Sequence, residues 1–206
     1  IRMEHVSYGY EGRARALQDV SLTIPKGSVV ALVGLSGCGK STTASLLMRF
    51  CDAAAGHIYM DGKDYHSMKP EELRKHIAMV PQQVNLFSGT IRENLLLADP
   101  DADDQTLMEA VKEAGLLKFV QSLEKGLNSD VGNAGASLSG GQRQKIGIAR
   151  ALLSKAEYMI FDEATSSVDP ESEKEIWETI GHLAHTRTLI IISHRMSSVR
   201  GADFPA

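Results

Sequence analysis

Residues 28–41 read SVVALVGLSGCGKS, and this stretch decides the fold of the chain. Its apolar first part, 28–33, predicts a fully buried parallel strand, and a helical pattern follows over 42–50. Between them, Gly34–Ser41 fits the pattern G-x4-G-K-[ST]. Glycines in such a loop let backbone N–H groups converge on phosphate oxygens, and the start of the next helix adds its dipole. The stretch therefore predicts a phosphate-binding loop between a buried strand and a helix.

Each residue type in this loop has a chemical reason to be there. Lys40 supplies a mobile positive charge for β and γ phosphates, and the Ser41 hydroxyl is a ligand for Mg²⁺. Cys38 is interpreted as a small residue that the loop tolerates. The candidate nucleotide-binding residues of this segment are Gly34, Ser36, Gly37, Cys38, Gly39, Lys40, Ser41 and Thr42.

Strand and helix patterns alternate along the rest of the chain. This alternation implies a mostly parallel sheet that is covered by helices on both faces. The fold class is therefore α/β, a P-loop NTPase core. The predicted buried strands are 77–80, 158–161 and 188–192, and the predicted helices are 139–153 and 171–184.

Two further parts are predicted beside this core. Alternating residues at 20–24 and a hairpin at 58–65, turning at Asp61 and Gly62, indicate an N-terminal antiparallel β part. Leu and Ala recur at helical spacing over 90–125, which indicates an inserted helical subdomain. We expect the α/β core to comprise 1–84 and 138–206, the antiparallel part to lie near 1–30 and 56–66, and the helical subdomain to comprise 85–137.

Composition narrows the class of protein. The 206 residues are 43% hydrophobic with a net charge of −4, and the absence of a basic run argues against nucleic acid as a partner. The two cysteines lie in no metal-ligand pattern, which fits a reducing compartment. The apolar stretches are shorter than the ~20 residues that span a bilayer. We expect a soluble fragment of a longer protein, truncated at its C-terminus.

Acidic and imidazole side chains follow two of the predicted strands. Asp162 and Glu163 end the strand 158–161, where an aspartate of a P-loop protein holds Mg²⁺ and a glutamate can accept a proton from water. His194 follows the strand 188–192, at the edge where open α/β sheets bind ligands. We expect it to contact the γ phosphate or the water. Taken alone, these acids could equally be ordinary surface residues at strand ends.

A second candidate phosphate-binding turn opens the helix at 139. Ser139 and Gln142 fit a capping box, which is a purely structural interpretation. Each of Gly140 and Gly141 destabilises a helix by about 0.5–1 kcal/mol relative to Ala. Their presence therefore indicates that another group must approach the backbone closely there, and a phosphate is such a group. Arg143, Lys145 and Arg150 are expected to raise the local positive potential.

Residues 138–142 read LSGGQ, the signature of ATP-binding cassette (ABC) proteins. With the P-loop, the acidic strand end and His194 in this order, the chain resembles the nucleotide-binding domain of an ABC transporter over nearly its whole length. The resemblance implies that Tyr10 stacks on adenine, although Tyr8 lies close by. It also implies that Gln82 contacts Mg²⁺ and water and links to the membrane domain. Residues 166–169 resemble the loop that crosses the dimer interface.

Two segments resemble the exporter branch of the family. They are residues 86–94, LFSGTIREN, and Asp130–Gly132 before the signature. An acidic residue commonly follows that glycine in this branch, whereas this chain has Asn133. The resemblance therefore implies an exporter-type domain in which the usual membrane-domain contact at this point differs.

The resemblance also implies a mechanism and partners. MgATP would be hydrolysed by in-line attack of water, with Glu163 and His194 handling the water and Lys40 stabilising charge. Two such domains pair head to tail, so that Ser139, Gly140, Gly141 and Gln142 close on the ATP of the partner. Further partners would be transmembrane domains of the same or another chain, on the cytoplasmic side of a membrane.

Two alternatives stay open at this stage. A non-transport ABC ATPase is one, although the short segment between Lys40 and Asp162 leaves no room for a long coiled-coil insertion. The other is an ATP-binding regulatory module without useful turnover, against which the presence of Glu163 and His194 argues.

Overall fold

The structure is a computed structural model that describes residues 1–10, 12 and 15–194. It contains two four-stranded sheets. In the first, all pairings are antiparallel and the strand order is β2-β1-β4-β5. Its strands are β1 (Arg2–Gly9), β2 (Arg15–Thr23), β4 (Ala55–Met60) and β5 (Lys63–Asp64).

The predicted hairpin is present in this sheet, and its turn has the expected backbone. Asp61 and Gly62 both have positive φ, 49° and 81°, as a two-residue hairpin turn of type I′ requires. Strand β1 was not predicted, because its register slips against both neighbours and breaks the two-residue period. Met3 and Val6, three residues apart, are therefore both buried.

The second sheet is parallel, with strand order β3-β8-β7-β6. Its strands are β3 (Val29–Val33), β6 (Ile77–Val80), β7 (Tyr158–Asp162) and β8 (Thr188–Ser193). The prediction of a fully buried β3 was wrong. Ala31 is exposed and its neighbours are only half-buried, because β3 lies at the edge of the described sheet and pairs there with β8 alone.

The central strands β7 and β8 are buried on both faces, which explains why they read as continuous apolar runs. Alternate side chains of each strand enter two different cores. Met159 and Leu189 belong to the core under the helices that follow residue 90. Ile160 and Ile190 belong to the core that also contains β1, β4 and the first helix. The parallel sheet is thus the layer between two hydrophobic cores.

The helices agree closely with the sequence patterns. They are α1 (Lys40–Leu47), α2 (Pro70–Leu73), α3 (Ile91–Leu96), α4 (Asp104–Glu113), α5 (Leu117–Ser122), α6 (Gly140–Leu153) and α7 (Pro170–Leu183). Within the described ranges, 3₁₀ turns lie at Tyr65–Ser67, Gly126–Asn128 and Asn133–Gly135. None of the helices in the described ranges has the length and apolar character needed to cross a bilayer.

Helices α3, α4 and α5 form the segment that was expected to be helical. A capping box of Thr90 and Glu93 begins α3, and the Asp103 carboxylate caps α4. Leu107 of α4 and Ile146 of α6 belong to the same hydrophobic core. The division of the chain at 84/85 and 137/138 stays a prediction.

Candidate functional site

The loop Gly34–Ser41 joins the end of β3 to the start of α1. Gly37 and Gly39 have φ values of 83° and 95°, which side-chain-bearing residues rarely adopt. A Cβ at Gly39 would lie 2.6 Å from the carbonyl oxygen of Ala16, so steric contact also demands glycine there. Lys40 lies over the loop, and its Nζ donates to the carbonyl oxygens of Gly34 at 2.7 Å and Leu35 at 3.0 Å. The Lys40 ammonium is thus held by the backbone of its own loop.

Asp162, at the end of β7, lies beside the first turn of α1. It is only 9% exposed. Burial, and to a lesser degree the charge of Glu163, raises the pKa of its carboxyl. A hydrogen bond from Ser41 and the charge of Lys40 oppose that rise. Its Oδ1 is buried without a hydrogen-bond partner among the described residues. A buried carboxylate oxygen beside a serine hydroxyl is a donor set that suits Mg²⁺. The residues present therefore fit the predicted metal.

Glu163 and His194 come together at the same edge of the parallel sheet. Oε2 of Glu163 lies 3.3 Å from Nδ1 of His194. The Glu163 N–H donates to the carbonyl oxygen of Ile192 at 2.9 Å, which fixes its backbone to β8. Glu163 adopts a φ of 49°, an uncommon conformation for a non-glycine residue. The predicted base and histidine are thus neighbours, and sequence gave no signal for the left-handed backbone.

Gln82 reaches this region from the loop after β6. Its Nε2 donates to Oγ of Ser166 at 3.0 Å, and both side chains are accessible to solvent. This bond joins the predicted metal-contacting glutamine to the first residue of the predicted interface loop, 166–169. The sequence pattern indicated both segments separately but not that one hydrogen bond connects them.

Tyr10 stands at the N-terminal end of α1. The residue is 45% exposed, and its hydroxyl lies 3.4 Å from Oγ1 of Thr42. Tyr8 packs edge-on against it, with ring centroids 5.1 Å apart at 89°, and is the less exposed of the two. The accessible Tyr10 ring, beside the loop Gly34–Ser41, is positioned to stack on a flat ligand. Tyr8 is positioned to support the Tyr10 ring.

The second glycine-containing turn begins α6 with the expected capping box. The Gln142 N–H donates to Oγ of Ser139 at 3.2 Å, and the Ser139 N–H donates to Oε1 of Gln142 at 2.9 Å. The two glycines have an explanation within the chain. A Cβ at Gly141 would lie 2.3 Å from Oγ of Ser172, and one at Gly140 would lie 3.1 Å from the carbonyl oxygen of Ser167.

The argument that these glycines require a phosphate was therefore incomplete. They let the first turn of α6 pack against residues 167–172 at the start of α7, and this packing is a sufficient reason for glycine at position 141. Ser139 is exposed and remains available for contact with another molecule. Binding of a partner's nucleotide by this turn stays a prediction.

The basic side chains of α6 are used for structure. Lys145 is buried and paired with Glu175 of α7. Arg143 donates to the carbonyl oxygens of Gly135 and Leu138. Arg150 donates to Asn94, and its burial lowers the pKa of the guanidinium. Of the three, Lys145 is paired with a carboxylate, whereas Arg143 and Arg150 bond to neutral oxygens, so the expected positive potential at the turn stays a prediction for the two arginines.

Comparisons with known proteins show similarity to ABC transporters. A family model described as ABC transporter matches residues 17–166. An ABC-type transporter of Curvularia clavata is 46% identical over 206 residues, which cover 98% of this chain and 15% of that protein. An ATP-dependent lipid A-core flippase of Haemophilus ducreyi is 45% identical over 205 residues, covering 98% of this chain and 35% of the flippase.

A solved structure is also similar. It is a bacterial Atm1-family ABC exporter with ATP bound, 37% identical, with a TM-score of 0.90 over 98% of this chain. The chain covers 36% of that exporter. It thus spans between about a seventh and a third of the length of the relatives it matches.

Proposed function

The chain belongs to the ABC transporter family, and we propose that it is the motor domain of an exporter, binding and hydrolysing MgATP to drive transport. The observation that carries this proposal is the convergence at one sheet edge of Lys40, Asp162, Glu163 and His194. Ligands of open α/β sheets bind at the carboxyl ends of the strands, and here β3, β7 and β8 all end there.

The P-loop would hold the phosphates of ATP. Its backbone N–H groups and the positive end of α1 favour an anion, and Lys40 can exchange the carbonyl oxygens of Gly34 and Leu35 for phosphate oxygens. Tyr10 would stack on the adenine. Of the two aromatic residues considered, it is the more exposed and the one next to α1.

Ser41, Asp162 and Gln82 would hold Mg²⁺. The support for this set is the orphaned Oδ1 of Asp162 beside the Ser41 hydroxyl. When bound, Mg²⁺ supplies positive charge that neutralises the phosphate oxygens. The cost of keeping the Asp162 carboxylate buried is then offset by a partner of opposite charge.

Glu163 would accept a proton from the attacking water, and His194 would orient that water or contact the γ phosphate. The fixed backbone of Glu163 limits how far its carboxylate can move, which favours a defined position for the base. His194 is 38% exposed, so a substrate can reach its ring from solvent.

The partners we propose are a second nucleotide-binding domain, paired head to tail, and a transmembrane domain of the same or another chain. The exposed Ser139 at the start of α6 supports the first. The second is supported by the relatives, which are transporters of which this chain covers only a part. The site would work at the cytoplasmic side of a membrane.

Phosphate release from the purified chain tests the proposal. We expect MgATP-dependent release that rises more than linearly with protein concentration, since two chains would complete each site. Lys40→Ala is the control for contaminating phosphatases and should remove the release. Equal release by both proteins at all concentrations would overturn the proposal. Relatives with transporter names favour this function over a non-transport ATPase.

A further inference from the structure

Three potential metal ligands meet on the antiparallel sheet, outside the nucleotide site. His57 lies in β4, Asp64 ends β5, and His66 lies in the following 3₁₀ turn. One ligand atom from each lies within 4.8 Å of the other two. Ile58 and Met60, which alternate with His57 along β4, are buried, so His57 lies on the outer face of the sheet.

A single carboxylate holds both imidazoles. Nδ1 of His57 lies 2.8 Å from Oδ2 of Asp64, and Nδ1 of His66 lies 3.1 Å from Oδ1. Zinc takes nitrogen and oxygen ligands at about 2.0–2.2 Å, which places adjacent ligand atoms roughly 3–3.5 Å apart. The two imidazole–carboxylate separations are close to this range, and all three ligand atoms lie within 4.8 Å of one another, so the two imidazoles would have to move closer together to share one ion.

The backbone prepares the central ligand. Asp64 also accepts the His66 N–H at 2.8 Å as the cap of the 3₁₀ turn, which holds its side chain in place. The His57 ring is stacked on Tyr59, with centroids 6.0 Å apart at 29°. Arg2 lies over the Tyr59 ring, 5.0 Å from its centroid, and Glu4 pairs with Arg2 at 3.1 Å, which reduces its repulsion of a metal ion.

We propose that His57, Asp64 and His66 form a binding site for a divalent transition-metal ion such as Zn²⁺, with solvent completing the coordination. Two imidazole nitrogens and one carboxylate oxygen suit Zn²⁺, Ni²⁺ and Cu²⁺ rather than Mg²⁺. The imidazoles are 59% and 51% exposed, so an ion can enter from solution. Bound metal would tie the β4–β5 hairpin to the turn that follows it.

This site shares no residue with the proposed ATP site. A structural alternative is a triad held only by hydrogen bonds, with Asp64 binding two imidazoles and no metal. Metal binding and ATP hydrolysis are therefore measured separately, and each can fail without the other.

The test is titration of the nucleotide-free chain with ZnCl₂ in buffer that contains excess Mg²⁺. We expect one Zn²⁺ per chain at micromolar free metal, measured by calorimetry and by metal content after dialysis. His57→Ala and His66→Ala should each weaken binding at least tenfold. Both side chains are exposed, so the variants should fold, which circular dichroism of the metal-free proteins checks.

His5→Ala is the matched control. Nδ1 of His5 lies 2.7 Å from Oδ1 of Asp19 on the same sheet, but this exposed pair has one imidazole only. We expect unchanged Zn²⁺ affinity in this variant. Cys38→Ser/Cys51→Ser should also keep the site, which excludes binding by thiolates. No Zn²⁺ binding by the wild-type chain, equal losses in His5→Ala and His66→Ala, or loss in the cysteine variant would each overturn the proposal.

Discussion

Oε2 of Glu163 lies 3.3 Å from Nδ1 of His194, and this contact joins the ends of the neighbouring strands β7 and β8. The Glu163 backbone is held by its bond to Ile192 in a left-handed conformation. Uncommon backbone conformations persist where the surrounding structure fixes them, and they cluster at functional sites. The backbone of Glu163 is therefore fixed at the edge of the sheet, and its carboxylate lies beside His194.

Glu163→Gln should stop turnover and keep nucleotide binding. An amide preserves the shape of the side chain but cannot accept the proton, and loss of a general base typically costs about 10²–10⁴-fold in rate. Phosphate release and binding of a fluorescent ATP analogue measure the two properties, and gel filtration with ATP should show more dimer. The control is Glu171→Gln, an exposed acid at the start of α7. Hydrolysis at the wild-type rate would refute the assignment of the base.

Asp162→Asn should stabilise the nucleotide-free chain while removing Mg²⁺-dependent hydrolysis. The Asp162 carboxylate is buried with an unpartnered oxygen, and its raised pKa reflects this desolvation. Replacing the charge by an amide of the same shape should add about 1 kcal/mol to the free energy of unfolding. For a chain of this size that corresponds to roughly 2–4 °C in Tm. Asp101→Asn, at an exposed position, should change neither property. A lower Tm for Asp162→Asn would contradict the argument.

Local sequence patterns predicted the strands and helices of the parallel core because each element has a hydrophobic pattern or a capping residue of its own. Strand β7 is buried and apolar up to Asp162 since it lies between two cores, and α6 is bounded by Ser139 at its start. The half-burial of β3 depends on which strands pair with it, and a local sequence pattern carries no information about strand pairing. Likewise, the contact of Gly141 with Ser172 depends on how α6 meets α7, so the sequence pattern could not reveal that packing also favours glycine there.

Tyr10→Ala should weaken ATP binding more than Tyr8→Ala. Stacking of a base on an aromatic ring is worth about 1–3 kcal/mol by alanine substitution, so we expect roughly a tenfold or larger increase in Kd. Tyr10 is the more exposed ring, whereas Tyr8 supports it edge-on. Tyr10→Phe should bind normally, because the ring and not the hydroxyl makes the contact. Equilibrium titration with ATP compares the three variants, and a larger effect at Tyr8 would reverse the assignment.

Asp169→Ala should lower Tm near neutral pH and lose this effect in acid. Asp169 caps α7 by accepting the Ser172 N–H at 2.9 Å, and this bond lowers the pKa of its carboxyl. Stabilisation by a carboxyl of lowered pKa is complete above the unfolded value of about 4 and disappears as the pH falls through the folded pKa. Thermal melts between pH 7 and pH 3 measure the difference from wild type. Asp169→Asn keeps a capping oxygen and should melt near wild type at pH 7.

Gly141→Ala should destabilise the chain by separating the starts of α6 and α7. The new Cβ would lie 2.5 Å from Cβ of Ser172, and overpacking of this kind costs about 1–3 kcal/mol. Gly140→Ala is the matched control, because its Cβ meets the oxygen of Ser167 at a milder 3.1 Å. It should cost less, since alanine is also the better helix former.

A double-mutant cycle distinguishes this steric contact from a general loss of stability on any substitution in the turn. Ser172→Gly removes both atoms that the new Cβ would strike, so Gly141→Ala/Ser172→Gly should lose less stability than the two single variants together. Urea unfolding of the four proteins gives the coupling free energy, which we expect to be at least about 0.5 kcal/mol in favour of the pair. Strict additivity would mean that packing on Ser172 is not why position 141 is glycine, and the requirement for a phosphate-accessible backbone would then regain its force.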